Sequence, residues 1–441
     1  MKMKRLLLIL LSVFILWSCE KSNKNIQVSD TTFSKYVVSV PDEITQTIGI
    51  KQIMELHPNV DLDTMDKSKQ AISIQIDTSF IIKDKKGRHA LHFFKYKNKK
   101  GWNIISGDKR FLPILAYNGA GKATLDTSRN PGLKYWVEDI LQQIDFMDEH
   151  EIKQSKKVKF QWEKYLNSFA NSKNLKNLPV DTGGCPVSND IWATWNPNTS
   201  QWEGFSLLKW NQTAGFNYYM PIDDCDPQSY YCNKYPSGCG PVAIGMVMKY
   251  YNKPNNFLFN GINRTLNYNI MPSEIEPNSV NCSNPTDSQK EVATLLRYVS
   301  GKYAQMWCFS LSVPFYYTSE SATALYPNKI TQTFSDWGYS SPGNKIDYSS
   351  NITRLIDNLK LRQPVIFSGS SCDVCFWDAH IWLCEGLKES HDELCSTYAW
   401  VYMNWGWGGY DNGWYGISSD YTLDGTTYNN AHMKIIVDIK P

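Results

Sequence analysis

Residues 242–250 (Val-Ala-Ile-Gly-Met-Val-Met-Lys-Tyr) are apolar up to the last two and stand directly behind Pro241. A helix apolar all round is stable only when covered on every side, so this stretch predicts a core helix with a layered domain built around it. Pro241 suits the first helical turn, where its missing N–H removes no hydrogen bond. Cys239, in Pro236-Ser237-Gly238-Cys239-Gly240-Pro241, then falls at the helix N-terminus. Unpaired N–H groups and the positive end of the dipole favour thiolate over thiol there, and thiolate is the nucleophilic form. Taken alone, the string also reads as a buried structural cysteine.

Thiol-based hydrolysis needs a base near the sulfur and a third group to hold the base. Of seven histidines, His380 opens the apolar run His380-Ile381-Trp382-Leu383-Cys384, which continues into Glu385-Gly386. A strand fixes the ring, and its end leaves the ring open to a cleft. His391 and His432 lie in more polar surroundings, and His89 and His92 lie far upstream. Asn404 ends another apolar run and begins Asn404-Trp405-Gly406-Trp407-Gly408-Gly409. Its amide is placed to accept from the imidazole, and Trp405 to cover that bond against water.

The chain has 441 residues, enough for two domains. Lys2, Lys4 and Arg5 precede an apolar run at 6–16, too short for a membrane span and laid out like a secretory signal. Leu16-Trp17-Ser18-Cys19 resembles a bacterial lipobox, in which Cys19 is lipidated and becomes the new N-terminus. An ordinary signal peptide containing a cysteine is the competing reading. Residues 1–18 are thus expected to be a leader and 19–32 a polar tether. The expected location is outside the inner membrane, on the periplasmic or surface face of the outer membrane, with release after processing.

Residues 33–174 predict a small α+β domain. A helix starts at Val40-Pro41-Asp42-Glu43, strands follow at 71–77, 90–96, 102–106 and 111–117, and a helix follows Pro131-Gly132 with Leu133, Trp136, Val137, Ile140, Leu141 and Ile144 on one face. Residues 175–184, in a run rich in Asn, Ser and Gly, read as a linker and candidate cleavage site, with a simple loop between domains as the competing reading. Residues 185–441 add helical pattern at 291–303 and 352–361, and strands at 364–368, 381–386 and 399–404.

Lys plus Arg is 45 and Asp plus Glu is 43, a balance that gives no reason to expect a nucleic-acid partner. The eleven cysteines are too sparse for a disulfide scaffold, and their odd number leaves at least one unpaired within the chain. Cys225 and Cys232 are close enough in sequence to close a short loop. Cys372-x-x-Cys375 has no second Cys or His pair at zinc spacing. No metal and no cofactor are expected.

Together these motifs resemble the streptopain family of cysteine peptidases, a branch of the papain-like fold. The resemblance rests on Gly238-Cys239, Met248-Lys249-Tyr250, His380 and the string from Asn404 to Gly409. Leu207-Leu208-Lys209-Trp210-Asn211-Gln212 looks like the family's oxyanion-hole segment, which implies that role for Gln212. Gly101-Trp102-Asn103-Ile104-Ile105-Ser106-Gly107-Asp108, Leu112-Pro113-Ile114-Leu115-Ala116-Tyr117 and Tyr135-Trp136 resemble the family's inhibitory pro-domain. The resemblance implies an α+β fold, with a papain-like peptidase domain preceded by a small inhibitory pro-domain. It implies a self-inhibited, lipid-anchored endopeptidase in which Cys239 is nucleophile, His380 general base and acid, Asn404 orients the ring and Trp405 shields it. Its partners would be protein or peptide substrates, its own pro-domain and, through the lipid, a membrane. Two departures stand out: Gly240-Pro241 follows the cysteine, and Asp378-Ala379 replaces the usual Gly-Gly before the histidine, setting a carboxylate near the base. They leave open an inactive binding protein, or another papain-like hydrolase such as a double-glycine leader peptidase.

Overall fold

The computed structural model describes residues 38–57, 74–170, 185–225, 232–259, 262–313, 316–370, 379–417, 422–423, 426–427 and 432–441. The leader, Cys19, the tether, the linker at 175–184, Cys372, Cys375 and Asp378 lie outside them. The described residues belong to one body, Val38–Pro441.

The N-terminal part opens with helix α1 (Asp42–Leu56) and the meander β1 (Ile76–Lys83), β2 (His89–Tyr96), β3 (Trp102–Ser106) and β4 (Ile114–Asn118), followed by α2 (Pro131–Glu149) and α3 (Lys156–Ala170). Helix α2 starts where expected. Asn130 caps it by accepting from the Leu133 N–H, and Pro131 fills the first position. Two strands are displaced from expectation. The stretch 71–77 becomes a strand only from Ile76, and its 71–73 portion lies outside the described residues. A register shift between Ile76 and Thr78 turns Phe80 and Ile82 onto the main core, while Ile74 and Ile76 pack with α1. The stretch 111–117 pairs only from Ile114, because Pro113 has no N–H for the ladder.

The C-terminal part contributes β5 (Ser188–Trp192), the core helix α4 (Cys239–Tyr251), α5 (Asp287–Tyr303), α6 (Asn328–Asp336), β6 (Ser341–Asp347), α7 (Ile352–Lys360), β7 (Val365–Gly369), β8 (His380–His391), β9 (Thr397–Asn404), β10 (Gly413–Ile417) and β11 (Met433–Lys440). Every residue of α4 from Gly240 to Met248 is buried, as its composition demands. Helix α5 begins on a capping box made by Thr286 and Gln289.

Among the described residues, these strands form one antiparallel sheet in the order β1-β2-β3-β4-β10-β9-β8-β7-β11-β6, with β5 added to β8. The joint between the two parts is the short ladder of β4 and β10, where Tyr117 faces Trp414 and Ala116 faces Tyr415. Each part thereby covers a sheet edge of the other. Their apolar faces also merge, since Leu133, Trp136 and Ile140 of α2 share a core with Trp382, Trp405 and Met433.

Among the described residues, three disulfides join distant segments: Cys185–Cys395, Cys225–Cys308 and Cys232–Cys282. The expected Cys225–Cys232 loop is therefore corrected, because each sulfur meets a partner brought to it by the fold rather than its sequence neighbour. Cys239 and the buried Cys384 are free thiols.

Candidate active site

Cys239 is the first residue of α4, and Gly238 caps the helix at φ +93°. A Cβ at Gly238 would come within 2.5 Å of the Thr323 carbonyl, so glycine lets the helix start abut the neighbouring hairpin. The Cys239 sulfur faces the backbone N–H groups of Ile381, Gly240 and its own residue. Ile381 directly follows His380 on β8, so the core helix and that strand bring the cysteine and histidine to one place. Burial pushes the Cys239 thiol up from its ordinary range, and the three N–H groups oppose that without cancelling it. The thiolate expected at this helix start is thus disfavoured while the site is covered.

His380 is buried at 2% exposure. Its Nε2 lies 3.0 Å from the Trp405 carbonyl, which can only accept, so Nε2 carries the proton. The ring stacks between Trp382 and Trp407. Burial lowers its pKa to about 4, with the Trp405 carbonyl pulling the other way.

Asn404 is not hydrogen-bonded to the imidazole. Its Nδ2 donates to the Leu208 carbonyl (2.7 Å) and to Glu385 Oε1 (2.8 Å), and its Oδ1 accepts from the Gly406 N–H. The carbonyl of the next residue, Trp405, holds the ring instead. Glu385 was inside the sequence string around His380 but gave no signal of its own. It is a buried carboxylate, pushed up by burial and held by Asn404 and the Ser206 N–H. Trp405 is fully buried against Trp382 and Tyr415, and its indole N–H donates to the Asp411 carbonyl.

Gln212 sits beside the cysteine loop. The Ser237 N–H donates to its carbonyl at 2.7 Å. The segment carrying it is also tied to the Asn404 string, through Asn404 to the Leu208 carbonyl and through the Gly408 N–H to the Trp210 carbonyl. Four motifs dispersed over 200 residues of sequence therefore meet in one bonded cluster.

The first turn of α2 lies on this cluster. A Cβ at Gly132 would stand 2.4 Å from the Trp405 ring and 2.9 Å from His380 Cδ2, so only glycine fits there. Trp136 packs edge-on against Tyr415 at 5.0 Å. The approach to α2 is pinned by one side chain of the C-terminal part. The Asp411 carboxylate accepts from the N–H groups of Thr124 and Leu125, the Thr124 hydroxyl and the Asn130 amide. Lys122 reaches Glu274 and Glu276 at the rim.

A cysteine at a buried helix start, a histidine on the adjoining strand and an attached domain lying on the histidine define a covered thiol hydrolase. Residues 210–415 match the family described as Peptidase C10, and residues 61–144 match the Spi protease inhibitor family. The C-terminal part thus carries a Peptidase C10 domain, and the protein is a cysteine peptidase with an inhibitor domain ahead of it. Streptopain of Streptococcus pyogenes serotype M28 is 23% identical over 367 residues, 77% of this chain and 78% of that protein. Streptopain of serotype M1 is 23% identical over 364 residues with the same coverage. Among solved structures, a prointerpain A fragment from Prevotella intermedia has a TM-score of 0.49 at 15% identity, covering 82% of this chain and 98% of that one. Active interpain A from the same organism has a TM-score of 0.34 at 17% identity, covering 53% and 92%.

The buried imidazole makes the covered state sensitive to acid. Burial holds His380 at about 4 in the folded chain, against 6.5 for an exposed imidazole. Below 6.5 the unfolded chain therefore takes up the extra proton, and stability falls progressively as pH drops from about 6.5 to about 4. The share from this group is at most about 3 kcal/mol. Thermal melting of the Cys239→Ala chain is expected to fall over that window. Adding His380→Gln is expected to flatten the fall; an unchanged slope would rule out this source.

Proposed function

We propose that the protein is a secreted, lipid-anchored cysteine endopeptidase, made as a zymogen and working through Cys239 and His380. The supporting observation is that the Cys239 sulfur accepts from the N–H of Ile381, the residue after His380, whose ring lies beneath the first turn of α2. Cutting the linker at 175–184 releases the domain at 33–174 and uncovers the peptidase domain at 185–441. Burial is relieved, the Cys239 thiol falls and the His380 imidazole rises, so proton transfer between them becomes favourable.

Because Nε2 is already protonated, Cys239 gives its proton to Nδ1. The thiolate attacks the peptide carbonyl, and the Cys239 N–H and the Gln212 side chain stabilise the oxyanion at roughly 3 kcal/mol per donor. Pro241 removes a different N–H, so this donor survives. His380 then protonates the leaving amine, the C–N bond breaks and a thioester remains. Water gives a proton to His380, its oxygen attacks the thioester and the carboxylic acid leaves as thiolate is restored. Asn404 acts as a positioning residue, fixing the strand end that presents the Trp405 carbonyl, and Trp405 shields the ring.

Lipidation at Cys19 would hold the enzyme outside the inner membrane, on the outer membrane, until processing frees it. The chain expressed in a lipoprotein-processing bacterium is expected to take up radiolabelled palmitate and partition into detergent. Cys19→Ser is expected to lose both and keep casein cleavage. A Cys19→Ser protein that still carries label would refute the anchor and leave the peptidase reading intact.

A further inference from the structure

We propose that Asp42, His89 and His92 form a divalent-metal site of the zinc class in the inhibitor domain, at the joint between α1 and β2. In a regular strand, residues 89 and 92 face opposite sides of the sheet. Here β1 advances one residue, Ile82 to Lys83, while β2 advances two, Leu91 to His89. The extra residue, Ala90, is a bulge, and it turns His89 onto the face of His92. The two rings lie edge to face at 5.9 Å. Asp42, the first residue of α1, closes the third side. Its Oδ1 is 2.8 Å from His89 Nδ1 and 3.8 Å from His92 Nε2.

The second observation is an orphaned nitrogen. His92 is 1% exposed and its Nε2 has no hydrogen-bond partner, although it is directed at the Asp42 carboxylate. A buried imidazole nitrogen left in that state is costly. A bound cation removes the cost by accepting the lone pair. Three donor atoms, one from each residue, lie within 4.8 Å of one another. A tetrahedral zinc ion at about 2.0–2.1 Å from each donor sets donor spacings of roughly 3.3 Å. The spacings of 2.8 and 3.8 Å bracket that value, so rotamer adjustment completes the set. Two imidazoles and one carboxylate suit zinc far better than magnesium or calcium. Asp42 is about half exposed and His89 about a third, which provides an entry path and leaves a fourth position for water. Bound metal would clamp the start of α1 to β2, stabilising the inhibitor domain by mass action.

The test uses the full chain carrying Cys239→Ala, which removes the free thiol of the site and prevents self-processing. After stripping with a chelator, zinc chloride is titrated by calorimetry, melting is followed with and without zinc, and cobalt(II) is added as a visible-absorption probe. The expected result is zinc uptake that raises the melting temperature by at least about 3 °C, and cobalt bands of tetrahedral intensity. Asp42→Asn and His89→Ala, both at accessible positions, are each expected to lose one equivalent of zinc and the thermal shift, with circular dichroism unchanged. Equal zinc uptake in the parent and both variants, or no uptake at micromolar zinc, overturns the site.

Discussion

Cys239→Ala is expected to leave the full-length chain uncut and to lower casein hydrolysis by about 10⁴-fold or more, the scale seen when a covalent nucleophile is removed. The effect is large because every step of the proposed reaction passes through the sulfur. It is not expected to unfold the protein: Cys239 begins α4, whose stability rests on the buried residues from Gly240 to Met248, and alanine keeps that helix start. Gel analysis of expressed chains and a fluorescent casein assay provide the two readouts. Wild-type processing and hydrolysis in the alanine variant would remove Cys239 from the chemistry and leave the fold to be explained as a binding protein.

The second large effect is expected at Asp411. Its carboxylate collects four donors from the covering domain, two of them backbone N–H groups, with the Leu125 contact buried. Truncation leaves those donors unsatisfied, and cutting one partner of such a buried charged contact costs about 2–5 kcal/mol. At about 3 kcal/mol, the open fraction rises on the order of 100-fold. Asp411→Ala should therefore speed conversion of the full-length chain to its shorter form by that order. The wall of the site should survive, because the Trp405 indole and the Tyr415 hydroxyl bond to the Asp411 backbone carbonyl, which alanine retains. A conversion rate equal to wild type would show that the cover is held elsewhere.

The parts of the molecule legible in the sequence were those whose signal is local. An apolar run behind Pro241 can only be a buried helix, and His380 and Asn404 each sit at one end of an apolar strand. Pro131 marks the start of α2 for the same reason. What sequence left hidden depends on contacts between distant segments. The partner of Cys225 lies 83 residues away, and spacing alone suggested its neighbour Cys232 instead. Asn404 reads as the holder of the imidazole because it ends an apolar strand. The strand end instead turns its amide to Glu385 and Leu208 and gives the ring a backbone carbonyl, an acceptor no side-chain pattern displays. The Asp42–His89–His92 cluster was equally hidden: its members span 51 positions, and the bulge that aligns the histidines exists only in the paired strands. Asp411 sits in a polar turn where nothing marks it, and its meaning comes from the four groups brought to it.

One cysteine is expected to be chemically competent and kept inaccessible by the chain's own N-terminal domain. Mass spectrometry maps an epoxide thiol inhibitor on the intact chain and on the chain after its linker has been cut by an added protease. Labelling is expected at Cys239 after cutting, with little or none before. Equal labelling of Cys239 in both forms would contradict the cover, and no labelling in either would contradict the nucleophile.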